Sequence, residues 1–373
     1  MGCAFGASAL AALCLAGAAQ AGTIRVAVPS LADPEVAWNL ERHGDELCGP
    51  PRRLGPRRYR LDCDSAASVA RALAPYGVAR VSGRRVEFRA AFAWRRFPLF
   101  LRNLAVPGTR RFSTVTAGPA RIVAVRPGLR LEFLRLEPHA AAAAFARGAG
   151  DVAPVPAGDL HAALVSPGLR GKVRVRQLDA VDLVRFDSPR SALADLPSTR
   201  RTYWLTADRL DYALLVSDGV GPPAAGLLRD APAPTQRELR DARGRIGSLP
   251  PVRVRIAGDQ ALASIAVADW RDRGLGPVTA RSSPDRFERL TALYPGPEGL
   301  FLALDPSPGP LLREALAARD PLPALRRLDA RLRARALVVS LARRVGARLV
   351  SARLRGWRQD ALGRADYLHV RVG

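Results

Sequence analysis

Residues able to do chemistry are few and scattered in this 373-residue sequence. The four histidines, His43, His139, His161 and His369, each lack a second ligand at metal-binding spacing. The densest grouping is His43-Gly44-Asp45-Glu46-Leu47-Cys48, which reads either as a ligand set or as a polar loop beside a cysteine. Asp179 and Asp182 are close in sequence, but arginines surround them, and ion pairing is the simpler use. There is no G-x-S-x-G elbow, no Walker loop and no G-x-G-x-x-G between a strand and a helix. The sequence therefore offers no catalytic residue, no metal site and no cofactor motif, and the expectation is a non-enzyme that binds. The most informative polar residue is Tyr294, held in Thr291-Ala292-Leu293-Tyr294-Pro295-Gly296-Pro297-Glu298-Gly299-Leu300-Phe301 by a proline–glycine turn. Either the turn presents Tyr294 to a ligand, or the ring packs at a corner.

Composition bounds the class. Hydrophobic residues make up 48% and charged residues 25%, as in a soluble globular protein of about two domains. The formal charge is +24, and Lys172 is the only lysine among 58 basic residues. The arginines run along the whole chain, often alternating with apolar residues, as in Val252-Arg253-Val254-Arg255-Ile256. That pattern reads as solvated faces of strands and helices. Polyanion binding is a weaker alternative and no nucleic-acid partner is expected.

Phe5 to Ala19 is a weakly apolar run ending in Ala19-Gln20-Ala21, which fits a secretory signal cleaved after Ala21. A membrane span needs ~20 strongly apolar residues, and no segment supplies one, so no stable membrane insertion is expected. Cleavage would remove Cys3 and Cys14 and leave Cys48 and Cys63, an even pair in an oxidising compartment. A disulfide closing that loop would stabilise by about 3 kcal/mol; two free thiols are the other reading.

These residues need a frame. Apolar periodicity predicts a strand at Thr23–Val28, mostly loop over 30–64, a helix at Ala66–Ala74 and a strand at Arg85–Arg89. A hairpin follows at Arg121–Val125 and Leu129–Leu136, then helices His139–Arg147 and Asp159–Val165 around a strand at Val152–Val155. Strands are predicted at Val173–Gln177 and Val181–Phe186, and helical spacing at Arg200–Leu210. Val252–Ile256, Gln260–Arg273 and Pro277–Ala280 make a βαβ unit. Arg286–Ala292 reads as helix and Leu300–Leu304 as strand. Helices Pro310–Ala318 and Pro321–Arg344 precede strands near Ala347–Leu354 and Tyr367–Val372. The alternation gives a two-lobe α/β architecture.

Seven stretches, in order, resemble the family 5 solute-binding proteins of ABC importers, the oligopeptide, dipeptide and nickel-binding group. Gly22–Val28 with Leu31-Ala32-Asp33-Pro34 is similar to that family's mature start, and Thr116-Ala117-Gly118-Pro119-Ala120-Arg121-Ile122 to its T-G-P-Y-x-[IV] segment. Pro127-Gly128-Leu129-Arg130-Leu131 resembles its P-G-x-x-[LI] hairpin. Ala144–Ala153, with Ala149-Gly150-Asp151-Val152, resembles its helix and A-G-x-x-D-[IV] ending. Phe186-Asp187 falls where an F-N pair ends a strand. Arg200–Arg209 is close to the helix that opens the second lobe, and Ala292-Leu293-Tyr294 aligns with A-D-Y.

The resemblance implies the type II periplasmic-binding-protein fold: mixed sheets flanked by helices, two lobes joined by crossing segments, and a ligand enclosed by hinge closure. It implies a signal peptide over 1–21 and a first lobe over 22–192 with a reduced insert at about 45–115. A second lobe over 193–346 and a return to the first over 347–373 complete it. It also implies a monomer outside the cytoplasm that delivers a small solute or peptide-like ligand to ABC permease subunits. Ser30, Leu31, Phe186, Asp187, Leu293 and Tyr294 are the candidate ligand-facing residues, with no cofactor.

Two departures stand out. The insert is short, with only Val86-Glu87-Phe88-Arg89 faintly like the family's stretch there. Leu293 replaces the aspartate that peptide binders of the family set against an α-ammonium. Those departures favour an alternative, a binding fold without a transport ligand that serves as a sensory or interaction module.

Overall fold

A computed structural model describes residues 22–155, 158–186 and 188–373. The expected signal segment, 1–21, lies outside the described residues. Among the described residues, one ten-stranded mixed sheet runs through the molecule. Its order is Pro277–Thr279, Val254–Ala257, Asp285–Thr291, Val173–Arg185, Val338–Val350, Val152–Pro154, Gly22–Val28, Leu129–Arg135, Arg121–Arg126 and Thr114–Ala117.

Two strands of thirteen residues each, Val173–Arg185 and Val338–Val350, cross from one lobe to the other as an antiparallel pair. Their first-lobe halves pair over Val173–Gln177 and their second-lobe halves over Val181–Arg185, with a loss of register between Gln177 and Val181. An irregularity of this kind bends a strand and frees backbone groups from the ladder, and a second, smaller shift follows between Asp182 and Leu183. Pairing continues from the crossing strands to Val152–Pro154 in the first lobe and to Asp285–Thr291 in the second. The sheet therefore has two faces in each lobe. Consecutive residues Leu183 and Val184 point into different cores, as strand alternation requires.

A small subdomain interrupts the first lobe. It is a four-stranded antiparallel sheet in the order Arg52–Gly55, Arg58–Asp62, Arg85–Ala90, Gly77–Ser82. Helices Ala66–Leu73 and Phe97–Asn103 accompany it. Cys48 and Cys63 are joined as a disulfide at its base. The stretch expected to be loop, 30–64, also carries a helix at Pro34–Leu40, where the Asp33 carboxylate accepts the Glu35 N–H at 2.8 Å. That capping signal was readable in the Asp-Pro pair.

Three assignments made from periodicity are corrected. The stretch expected as a helix at 286–292 is instead the strand Asp285–Thr291, with Phe287 turned into the second-lobe core and Leu290 packed on the opposite face. Residues 300–304 are helix, because Pro297 opens a helical turn after Gly296, whose φ is 136°. The long helix expected to reach Arg344 ends at Arg335, where Ala336 turns left-handed, and the apolar run after it becomes the second crossing strand. That run is buried from Val338 to Arg343, and in a strand buried on both faces apolar residues do not alternate.

Candidate functional site

The Tyr294 turn lies beside the break in register of the crossing strands. Its backbone is tied to the crossing strand through Asp179, a residue in the stretch where register is lost. The Asp179 carbonyl accepts the Ala292 N–H at 2.8 Å, and its carboxylate accepts the Gly296 N–H at 3.3 Å and pairs with Arg229 at 3.0 Å. Gly299 closes the turn from below, where a side chain would collide with the Tyr294 carbonyl oxygen. Sequence and local sterics thus fix the ring's position.

The ring is wholly buried, at 0% exposure. It packs against Trp94 and Phe100 of the small subdomain, with ring centroids 6.1 and 6.3 Å away. The Trp94 indole N–H donates to the Tyr294 hydroxyl at 3.3 Å. Burial pushes the Tyr294 hydroxyl far above the ordinary tyrosine range, so it stays a neutral donor and acceptor. The next two residues of the subdomain bond to the second lobe as well. The Arg95 N–H donates to the Leu316 carbonyl at 2.8 Å, and Arg96 Nε pairs with Glu298 Oε1 at 2.9 Å. Trp94, Arg95 and Arg96 therefore form a three-residue clasp on the second lobe.

Glu298 is buried, and its Oε2 has no hydrogen-bond partner among the described residues. Desolvation raises its pKa, against the lowering by a backbone N–H and by Arg96. One continuous buried cluster runs from Leu61, Val86 and Phe88 of the subdomain through Trp94 and Tyr294 to Phe301, Leu312 and Leu325 of the second lobe.

The other candidate residues lie elsewhere. The Ser30 side chain is exposed after the first strand and accepts the Ala32 N–H at 3.1 Å. Leu31 is half-buried against the first-lobe core. Phe186 is buried in the second-lobe core with Tyr203 and Trp270, on the face opposite Tyr294. Asp187 lies outside the described residues. Leu293 is half-buried beside Tyr294. The structure thus brings Leu293 and Tyr294 together with Trp94, Phe100, Arg96 and Glu298, which sequence reasoning did not select. The run Phe92-Ala93-Trp94-Arg95-Arg96-Phe97, three aromatics around two arginines, was the available signal.

His43 is engaged within the fold. Its Nε2 is 2.9 Å from the Trp38 carbonyl and its Nδ1 2.9 Å from Arg111 Nη2, and it opens the short helix Gly44–Leu47. Burial and the Arg111 charge push its pKa down to about 4. Among the described residues, no three metal-binding side chains converge. Asp182 is buried, accepts the Tyr212 hydroxyl at 3.2 Å and lies 3.9 Å from both Arg289 and Arg344. No helix among the described residues is long and apolar enough to cross a membrane.

No family model and no curated protein matches the sequence. Solved structures do match the fold. The murein tripeptide-binding protein MppA of Escherichia coli superposes with a TM-score of 0.71 at 12% identity, over 93% of this chain and 96% of that one. A dipeptide-binding protein of Pseudoalteromonas in complex with Met-Leu gives 0.70 at 11% identity, over 94% and 100%. NikA of Brucella suis in complex with Fe(III)-EDTA gives 0.68 at 11%, over 94% and 100%. The chain has the two-lobe fold of these solute-binding proteins. The unliganded open form of MppA fits less well, at 0.61 over the same shares of both chains.

Proposed function

We propose that this chain is an extracytoplasmic binding protein of an ABC importer, a monomer that captures a small solute or peptide-like molecule between its lobes and hands it to permease subunits. The observation that carries this reading is the break in register of the crossing strands, which we read as the pivot between the lobes. Two crossing strands lose register between Gln177 and Val181 inside a fold shared, end to end, with binding proteins. In this reading residues 1–21 direct export and are removed after Ala21. Opening at the pivot parts Trp94 from Tyr294 and uncovers Tyr294 and Leu293. Leu293 supplies an apolar wall in place of a carboxylate, so ligands whose amino end is blocked or absent are favoured over free peptides.

The test is calorimetry and thermal unfolding with free dipeptides, N-acetylated dipeptides, sugar acids and metal chelates. A ligand at 100 times its Kd stabilises the folded chain by about 2.7 kcal/mol, which gives a clear rise in Tm. No heat and no shift across the panel would sink the transport reading.

A second reading rests on its own observation, the complete burial of Tyr294 under Trp94. Here the lobes close on the chain's own side chains, and the protein serves as a sensory or interaction module. Small-angle scattering separates the two. A free protein that stays closed, and does not change with any solute, favours the module.

A further inference from the structure

The outward face of the small subdomain's sheet is a concentrated cationic surface. Register sets Arg58 directly opposite Arg89, with Val78 on the other side of Arg89. The next row holds Arg80, Glu87, Arg60 and Arg52, and the third holds Ser82, Arg85 and Asp62. Their neighbours along each strand, Tyr59, Leu61, Val86 and Phe88, are buried beneath. Two of the six arginines are matched, Arg60 with Glu87 at 3.4 Å and Arg85 with Asp62 at 3.9 Å. Among the described residues Arg52, Arg58, Arg80 and Arg89 have no ion-pair partner, and all four are exposed. Residues 45–115 carry fifteen arginines against five acids, so ten of the chain's 24 net charges fall on less than a fifth of its length. Like charges set opposite each other on a sheet are destabilising, and an external anion would relieve Arg58 and Arg89.

We propose that this face docks the protein on a bilayer surface rich in anionic phospholipid headgroups. A four-stranded sheet spans roughly 15 Å at the usual strand spacing, a broad patch rather than a groove. No aromatic ring projects from it, since Tyr59 and Phe88 point inward, so the stacking platform of single-strand nucleic-acid binders is missing. Neither does the face present a helix to enter a duplex groove. On this face Val78, 61% exposed beside Arg89, supplies an apolar side chain that suits the headgroup boundary of a bilayer. Attraction of this kind falls off within a Debye length, about 10 Å at 0.1 M salt. The inference is independent of solute capture.

The experiment is co-sedimentation of the full mature chain with phosphatidylcholine vesicles, with and without 30% phosphatidylglycerol. The expected result is binding to the anionic vesicles alone, lost at high salt. The triple variant Arg58→Gln, Arg80→Gln, Arg89→Gln should bind at least tenfold more weakly. A charge-matched control, Arg237→Gln, Arg240→Gln, Arg243→Gln on the exposed side of helix Gln236–Arg245, should change binding less than twofold. Both sets are surface changes, and unfolding curves of each confirm a folded protein. Equal losses in the two triples, binding to neutral vesicles, or no binding at all would overturn the proposal. Tighter binding to a duplex oligonucleotide that is lost in the same Arg58 triple would also overturn it, and would reassign the face to nucleic acid.

Discussion

Two contacts between the lobes differ in kind. At the clasp, Trp94 and Tyr294 are both 0% exposed, and an ion pair with a buried carboxylate and a backbone hydrogen bond flank them. On the other side of the sheet, the contact includes one polar bond at the surface, from the His161 N–H to the Asp218 carboxylate at 3.0 Å. Separating the first contact exposes large aromatic surface, at about 25 cal/mol per Å² with 150–250 Å² for each such ring. Separating the second exchanges one exposed hydrogen bond for water, a change near zero. Closure in this chain is therefore held on one side, and by its own side chains. In the proposed transport reading a ligand need not supply all of the closing energy, since the buried contact over Tyr294 already resists opening.

Removing the ring at the centre of the clasp is the strongest way to break this asymmetry. Trp94→Ala should cost about 3–5 kcal/mol in urea unfolding and enlarge the radius of gyration of the free protein. An unchanged radius would show that other contacts hold the lobes. Next in size is the disulfide beneath the clasp. Replacing Cys48 and Cys63 with serine should cost about 3 kcal/mol by the loop-entropy argument. Hydrogen exchange should speed up in the subdomain, including the Arg95 N–H that donates to Leu316, while the His161 N–H that donates to Asp218 keeps its rate. Equal acceleration at both contacts would erase the distinction between them.

Much of this frame was legible in the sequence, and the reasons are local. The first strand, the hairpin around Pro127-Gly128 and the βαβ unit ending at Thr279 each carry their own turn and period signals, and the structure forms all three. The even cysteine pair likewise yielded the disulfide. Residues 286–292 misled because Phe287 and Leu290 stand three apart, a helical spacing; in the strand they pack on opposite faces, each against its own core. The Tyr294 turn was plain, but its burial was not, because its cover, Trp94, stands 200 positions away. Chemistry at a contact so distant in sequence leaves no spacing to read. The cationic face was hidden for the same reason: arginines spread evenly along the chain become concentrated only when strand register sets Arg58 against Arg89.

Acidity sharpens the comparison with smaller effects. Glu298 has its pKa raised by burial in the folded protein. A raised carboxyl contributes fully below the unfolded value near 4.5, and its contribution is lost as pH rises through the folded pKa. The clasp should tighten on acidification. His43 runs the other way. Its pKa is lowered to about 4, so stability is intact above about 6.5 and lost as pH falls toward 4. Urea midpoints of Glu298→Gln across pH 4 to 7 should lose the acid-side gain and keep the His43 loss; an unaltered profile would show that Glu298 does not titrate with the clasp. The least effect belongs to the second contact. Asp218→Ala removes an exposed acceptor and should cost no more than about 1 kcal/mol, with the radius of gyration unchanged. A radius that grew as much as in Trp94→Ala would mean the surface bond gates the lobes, and the aromatic clasp would then be packing without control of opening.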